Sequence, residues 1–474
     1  MNELYRNKVR GKLYRLIYTM NKNTHIRVQT PVGLSEEAET GETVGQGTLE
    51  GAIISSVSLD NGINDFFEES EEEVCYSNLR LQPLLYQDDV VRLAPSLESL
   101  QYGNDRIVAV AESKLLDFHT DKSCFTVFGK KKDRERIIAE HQSNPVQLCG
   151  QNMKHEETVK YLGDMLSGKG LAESVSETVK SRKNLVLKSV FEIRSVVDDC
   201  RSVVAGGLDA GLMIWEMAVI PTLLNNAECW MEASSATVED LEQIQIKFLK
   251  NLLAVGSGCP TPLLLSETGS TLMELRILEK KLLFLHHLES LPAEALAHEI
   301  LMVQKNLNLP GLAKECQPFL QRFKVNKVSD YSKYQWKRLV KLNILNMNKE
   351  LIIERTAKQN YKKIDIDKLK DDDFVKKSYF KTMNLYDARM RFKFASKMLP
   401  TVRMNFQSDR KFMAEGWKCL GCAGAGDGNT YRDSQEHVLV CEGYSRFREG
   451  IDLQTDAGLV KYFHDVIMDR LNCL

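Results

Sequence analysis

The chain has 474 residues, of which 43% are hydrophobic and 27% are charged, and its formal net charge at pH 7 is -2. This length allows two or three domains with a substantial core, and the composition excludes wholesale disorder. The eleven cysteines are mostly scattered, and the N-terminus lacks the apolar core of a signal peptide, so we expect an intracellular, reduced protein. Charged residues and a Gly-Gly pair interrupt the longest apolar stretch, Val203 to Leu224, which predicts a buried helix pair and no membrane anchor.

The chain opens with a helix and a strand. Residues 3–20 have the apolar spacing of a helix, and Thr24 to Thr30 is typical of a strand that enters a turn at Pro31. Helical spacing returns over residues 48–67. Directly before it, the segment GETVGQG ends in Gly45, Gln46 and Gly47.

Residues 79–94 predict a β-hairpin. Two strand-like segments, Leu79 to Tyr86 and Val90 to Ala94, flank a polar break formed by Gln87, Asp88 and Asp89. Carboxylates at such a turn can bind Mg2+, which takes oxygen ligands and, as a pair of ions, can clamp both oxygens of a phosphoryl transfer. Paired acids are also common at ordinary exposed turns. The neighbouring elements are therefore needed to distinguish a Mg2+ site from an ordinary turn.

Three further elements follow the hairpin. Residues 96–118 have the spacing of a helix that packs its apolar side chains on a sheet. Asp121, Lys122 and Ser123 precede an apolar strand over residues 124–129. The last element is the run Lys160, Tyr161, Leu162, Gly163.

The order of these elements resembles the reverse transcriptase palm of non-LTR (LINE-like) retrotransposons. That palm has a G-x-x-QG turn and helix, a Y-x-DD hairpin, a helix, a Lys-bearing turn and strand, and a Y-L-G hairpin. Three later segments are similar to the helical region that follows the palm in this family, namely Ile220 to Trp230, Leu241 to Phe248 and Leu263 to Gly269. The resemblance covers most of the chain and implies an RNA-directed DNA polymerase that uses an RNA template, a DNA primer and deoxynucleotide triphosphates.

The resemblance also implies residue roles. Asp88 and Asp89 would bind the catalytic Mg2+ ions, and Lys122 would lie near the incoming triphosphate. The residues that would shape the template and nucleotide pocket are Gly45, Gln46, Gly47, Tyr86 and Gln87.

One departure from the family pattern affects the expected activity. In the family, a strand before the first Arg-rich helix carries a third metal-binding aspartate. The chain begins with MNELYRNKVRGKLYRLIY, which looks like that helix, so we expect the first metal ligand and most of the fingers to be missing. Because Mg2+ sites with few ligands tolerate the loss of a carboxylate poorly, we expect a weak or inactive polymerase. The alternative is a non-catalytic nucleic-acid-binding remnant, and a third interpretation is an open reading frame without a selected role.

The middle of the chain is predicted to be helical. The spacing from Ser174 to about Phe323 indicates a thumb-like bundle, in which His286 and His287 are better explained as part of a charged helix face than as metal ligands. Arg322 to Lys363 holds twelve basic residues against three acids, whereas Val28 to Leu79 holds twelve acids and no basic residue. Aromatic residues are interleaved with the cations of the basic block, namely Phe323, Tyr331, Tyr334, Trp336 and Tyr361.

Phosphate-neutralising cations and stacking aromatic rings together favour contact with single-stranded nucleic acid, and a solvated charged face is the alternative. The mixed-charge stretch Asp365 to Lys377 is typical of a linker.

The C-terminal region carries a metal-ligand pattern. Cys419 and Cys422 are two residues apart, His437 follows after fourteen residues, and Cys441 follows after three more. Three thiolates and one imidazole suffice for a closed tetrahedral Zn2+ site. A redox Cys-x2-Cys pair is less favoured because no βαβ pattern is evident nearby. The residues after Cys441 resemble the tail of the C-terminal knuckle in many retroelement proteins.

These observations predict an α+β fold. A partial polymerase palm, an antiparallel sheet with helices, would occupy residues 1–170 and a thumb-like helical domain residues 171–323. A basic and aromatic helical connector would follow over residues 324–410, and a small zinc-knuckle module with a C-terminal helix would occupy residues 411–474.

Overall fold

A computed structural model describes residues 5, 8–22, 25–39, 74–77, 79–81, 83–86, 89–113, 116–199, 205–359, 364–396, 398, 419 and 435–472. In these ranges the chain is mixed α+β and mostly helical. It divides into two compact units, of which the first comprises Met1–Lys160 and Leu166–Gly170 and the second Tyr161–Met165 and Leu171–Leu474. None of the described helices is long and apolar enough to cross a membrane.

The strands are short and pair in twos within the described ranges. The pairs are β1–β4, β2–β3, β5–β6, β7–β8, β9–β12, β10–β11 and β13–β14, and the β9–β12 pair is parallel. Their bounds are β1 His25–Ile26, β2 Gln29–Thr30, β3 Gly33–Leu34, β4 Ala38–Glu39, β5 Cys75–Tyr76, β6 Leu79–Arg80, β7 Leu84–Tyr86, β8 Asp89–Val91, β9 Cys124–Phe125, β10 Gln147–Leu148, β11 Gln151–Asn152, β12 Lys154–His155, β13 Thr158–Tyr161 and β14 Asp164–Ser167.

Within the described ranges, three helices accompany these strands, namely α1 Gly11–Asn21, α2 Leu97–Ser113 and α3 Lys131–Ser143. The hairpin predicted over residues 79–94 is confirmed at its centre, where β7 and β8 pair antiparallel with Leu85 opposite Val90. The first predicted strand is shorter than expected, because Leu79 and Arg80 form β6 and pair with β5. The side chains of Leu85 and Val90 pack against Ile107 and Val110, which α2 buries. One small apolar cluster therefore contains the inward-facing side chains of the two strands and the side chains on the apolar face of α2.

The hairpin formed by β13 and β14 has a turn of two residues. Leu162 and Gly163 both have positive φ, at 46° and 87°, as a two-residue type I′ turn requires. Arg182, on the following helix, donates to the Gly163 carbonyl at 2.9 Å and forms an ion pair with Asp164. Asn226 Nδ2 donates to the Leu162 carbonyl at 3.0 Å. Both turn carbonyls are thus held by side chains of the helical region.

The second unit contains the remaining α-helices of the described ranges. They are α4 Leu171–Asp199, α5 Gly207–Ile214, α6 Ile220–Leu223, α7 Ser235–Leu252, α8 Thr261–Thr268, α9 Met273–Glu289, α10 Leu296–Asn306, α11 Leu312–Arg322, α12 Lys333–Gln359, α13 Ile366–Asp371, α14 Tyr379–Thr382, α15 Leu385–Ala395, α16 Gln435–Val440 and α17 Asp456–Asn472.

One continuous core joins the helices from Val175 to Met398. Trp215 is fully buried and stacks on Phe248, with ring centroids 4.2 Å apart. Glu242 of α7 accepts a hydrogen bond from the Met273 backbone N–H at 2.8 Å, which caps the first turn of α9.

The described part of the stretch Val203 to Leu224 is only partly buried, with Leu208, Trp215 and Leu223 in the core and Met213 and Met217 exposed, and the predicted helix pair is wrong. Residues 207–223 form a single helical run in which a π-helical turn, Trp215–Val219, connects α5 to α6. Pro221 explains this turn, because proline inside an α-helix clashes with the carbonyl four residues earlier and a wider turn relieves the clash.

Two further predictions for this region are wrong. Asp365 to Lys377 is not a linker, because it contains α13 and buries Leu369 and Phe374 in the main core. His287 is exposed, as the predicted charged face requires, but His286 does not lie on that face. His286 is buried, and its Nε2 lies 2.8 Å from the Tyr331 carbonyl oxygen, so that nitrogen donates the hydrogen bond.

Candidate metal centre

The C-terminal module has its own apolar core. Its buried residues are Met390, Cys419, Val438, Cys441, Tyr444, Val460, Tyr462, Phe463 and Val466. Four of them come from α17, where the helical period brings them to one face. The Tyr462 hydroxyl donates to the Val438 carbonyl of α16, so the buried phenol is satisfied where the two helices meet.

Three predicted ligands converge in this core. The ligand atoms of Cys419, His437 and Cys441 lie within 4.8 Å of one another, with both thiols buried and the imidazole half-buried. The two Sγ atoms are 3.7 Å apart, far beyond a disulfide bond of about 2.05 Å. Two thiolates bound at about 2.3 Å to one tetrahedral zinc ion would lie about 3.8 Å apart. The donor types, the spacing and the burial fit such an ion, and this group can bind a metal such as zinc.

Local structure explains why the ligands converge. His437 lies in α16 and Cys441 follows its last residue, so the four-residue spacing places both on one side of a helical turn. Arg448 Nη1 donates to the carbonyls of Leu439 and Cys441 at 3.2 and 2.9 Å. It therefore holds the end of α16 in the conformation that presents His437 and Cys441 together. Cys422, the fourth predicted ligand, lies outside the described residues.

The module is tied to the helical core by a contact that the sequence does not indicate. Arg391 of α15 forms an ion pair with Asp456 at the start of α17, and its guanidinium carbon lies 5.6 Å from the centre of the Tyr379 ring. Arg391 and Asp456 are 65 residues apart, and no local spacing rule connects residues so distant.

The polymerase-like residues are only partly described. Asp89 is the first residue of β8, is exposed and pairs across the strands with Tyr86, which is also exposed. Lys122 lies in an exposed turn before β9, and no hydrogen bond or ion pair joins it to Asp89 in the described ranges. Gly45, Gln46, Gly47, Gln87 and Asp88 fall outside these ranges. Apart from Cys419, His437 and Cys441, no three acidic, Cys or His side chains in the described part converge at metal-ligand distance.

The basic block separates into a buried side and an exposed side. Trp336 is buried and donates to the Leu282 carbonyl at 2.8 Å, while Phe323 and Tyr331 pack on the main core. Trp336 is therefore not available for stacking on a base, whereas Phe323 and Tyr331 are partly exposed. Tyr361 lies outside the described residues.

The exposed side of the block carries most of its charge. Tyr334 is 76% exposed at the start of α12. The cations near it in the sequence are also exposed and make no ion pair with any described residue. We call this surface the α12 basic face, and it consists of Lys324, Lys327, Lys333, Tyr334, Lys337, Arg338 and Lys341.

The chain matches no known protein family, and no curated protein sequence matches it.

Proposed function

We propose that the chain is a nucleic-acid-binding protein derived from a non-LTR retrotransposon reverse transcriptase, and that it binds single-stranded nucleic acid on the α12 basic face. The observation that carries this proposal is the combination of six exposed cations with one exposed aromatic ring in residues 324–341, a segment whose sequence holds a single acidic residue, Asp330. Unpaired cations neutralise backbone phosphates, and an exposed tyrosine offers a stacking surface to any base.

The spacing on α12 suits a strand that follows the helix. Lys333, Lys337 and Lys341 are four residues apart, which places their Cα atoms about 6 Å from one another along one side of the helix. This distance is similar to the spacing of successive phosphates in an extended strand. Tyr334 and Arg338 occupy the adjacent row, so a base can stack beside the phosphate contacts.

The proposal is tested by the affinity for a single-stranded oligonucleotide measured over a range of salt concentrations. Three or four phosphate contacts predict a log–log slope of about -2 to -3. Lys337→Gln should make the slope shallower by about 0.7, and Tyr334→Ala should reduce affinity by about 1–3 kcal/mol at every salt concentration. Lys358→Gln is the matched control, because Lys358 lies on the same helix but is paired with Glu354. A salt-independent affinity, or equal effects of the Lys337 and Lys358 variants, would refute binding at this face.

For the metal group, we propose zinc with Cys422 as the fourth ligand. Three thiolates and one imidazole form a closed set without an open position for a substrate. Such a site stabilises a fold and does not catalyse a reaction. Its function here would be to hold the C-terminal module together.

RNA-directed DNA polymerisation is the second candidate function. The exposed position of Asp89 at the start of β8 supports it, since a carboxylate at a hairpin turn can reach metal ions in solution. Asp88 and Asp89 would bind Mg2+ while an RNA template and a DNA primer position the deoxynucleotide triphosphate. Primer extension by the chain, compared with the Asp88→Asn, Asp89→Asn double variant, tests this. We expect extension to be weak or absent in both, and vigorous extension that the double variant loses would contradict this expectation.

A further inference from the structure

A cluster of three cations lies apart from both the metal group and the α12 basic face. Arg194 projects from the last turns of α4, whereas Arg389 and Lys393 lie one turn apart on α15. Asp198 bridges the two arginines, since Arg194 Nε lies 3.1 Å from its Oδ2 and Arg389 Nη2 lies 2.7 Å from its Oδ1. Thus one carboxylate is shared by two guanidinium groups, and a third cation stands beside them.

The charges in this cluster do not balance. Arg389 also donates to the Leu252 carbonyl, at the end of α7, where the helix dipole contributes about half a negative charge. Asp199, the next carboxylate along α4, is exposed and pairs with none of the three cations. Among the described residues, the three positive charges are therefore opposed by one carboxylate and a helix terminus, which leaves an excess of more than one positive charge there.

Lys393 is the least compensated member. It is half-buried, and neither a hydrogen bond nor an ion pair satisfies its ammonium group in the described ranges. Burial, followed by the neighbouring guanidinium groups of Arg389 and Arg194, lowers the pKa of Lys393. A half-buried cation without a partner destabilises the fold unless something neutralises it.

The arginines retain donors for a ligand. Arg389 uses Nε and Nη2, and Arg194 uses Nε and Nη1, the latter to Asn251 Oδ1 at 2.7 Å. One terminal nitrogen of each guanidinium group is thus without an acceptor in the described part. Two guanidinium donors and an ammonium group match a tetrahedral oxyanion with several acceptor oxygens.

We infer that Arg194, Arg389 and Lys393 form a binding site for a phosphate group. The phosphate would supply the missing negative charge, accept from both guanidinium groups and pair with Lys393. It can come from inorganic phosphate or from a nucleic-acid backbone, because both present the same oxygens. The site does not depend on the α12 basic face and stands even if that surface binds nothing.

The test is the stabilisation of the full chain by inorganic phosphate, measured as the shift in Tm relative to chloride at matched ionic strength. We expect phosphate to raise the Tm of the wild-type chain and Lys393→Gln to weaken the apparent affinity roughly 10- to 100-fold. Lys381→Gln is the matched control, because Lys381 is an exposed lysine on the preceding helix α14 and forms no ion pair with a described residue. Lys393→Arg keeps the charge and should restore most of the response, which separates loss of the site from a general defect in folding.

A second arm identifies the source of the phosphate. If Lys393→Gln also weakens binding of a single-stranded oligonucleotide, the phosphate belongs to a nucleic acid. If oligonucleotide binding is unchanged or absent while the response to inorganic phosphate is lost, the site takes free phosphate. A phosphate response equal in the wild-type and Lys393→Gln chains, or no response in either, would overturn the inference.

Discussion

Replacing Cys441 by serine is expected to release the metal and to destabilise the C-terminal module. Cys441 is 2% exposed and its sulfur lies 3.7 Å from that of Cys419, so a metal bound here contacts both. Structural zinc sites with four ligands contribute about 10–16 kcal/mol of binding free energy at neutral pH, or about 3 kcal/mol for each ligand if shared equally. Cys441→Ser should therefore lower the zinc affinity by roughly a hundredfold or more.

The assay is competition for zinc against a chromogenic chelator, combined with the visible absorption of the cobalt-substituted protein, whose intensity reports thiolate ligands. Cys316→Ser is the matched control. Cys316 is fully buried in the main core, where burial raises the pKa of its thiol to about 12, and it belongs to no group of converging metal-ligand atoms among the described residues. The control should lose about 1–3 kcal/mol of stability from the buried hydroxyl group and should keep its metal.

Two results would refute this account of the metal group. One is an unchanged zinc affinity in Cys441→Ser. The other is a cobalt spectrum that lacks thiolate absorption in the wild-type chain. Equal losses of metal in both variants would show that unfolding, and not removal of a ligand, causes the effect.

Three other perturbations probe the helical unit. Arg182→Met should cost about 3–5 kcal/mol of unfolding free energy in urea, because Asp164 and three backbone carbonyls lose a buried guanidinium partner; a cost below 1 kcal/mol would mean that water replaces it. Trp336→Phe should cost about 2–4 kcal/mol through a lost hydrogen bond to Leu282 and a small cavity, and an unchanged unfolding midpoint would contradict this. Burial raises the pKa of Glu242. At a pH between the pKa of the unfolded chain and that of the folded chain, the folded chain therefore keeps a proton that the unfolded chain has released. Stability should therefore decline as pH rises from the unfolded pKa through the folded one; urea unfolding at several pH values should show this decline reduced in Glu242→Gln, and parallel curves for both chains would be inconsistent with it.

Local patterns predicted the elements whose partners are near in sequence. The β7–β8 hairpin follows from alternation around a polar break, and the convergence of His437 and Cys441 follows from a four-residue spacing on one helix. In both cases, the residues that determine the geometry are close to each other in the sequence. Neither the hairpin pairing nor this part of the metal group needs information about the rest of the chain.

The sequence-based predictions that are wrong concern residues whose burial depends on contacts with distant parts of the chain. Trp336 and His286 are surrounded in sequence by cations and by another histidine, which suggested exposure. In the structure they stack on each other with ring centroids 6.0 Å apart, and each is hydrogen-bonded to a backbone carbonyl about 50 residues away. Phe374 is buried in the same way within a run of aspartates and lysines, because Lys377 pairs with Asp372 and Asp373 and leaves the ring free to enter the core. The charge of a segment therefore does not determine which of its residues are buried.

Helix α15 connects the metal module to the rest of the second unit because its residues belong to two cores. Leu385, Ala388 and Phe392 pack in the main core, whereas Met390 packs in the module core beside Cys419. The same helix carries Arg391, which pairs with Asp456 of α17, and Arg389 and Lys393, which belong to the cation cluster. A helix buried on two sides has few rotations available to it, since turning it by one residue would expose apolar side chains in both cores. A metal that orders the module core would thus also fix the rotation of α15 and the positions of the two cations, although neither of them is a ligand.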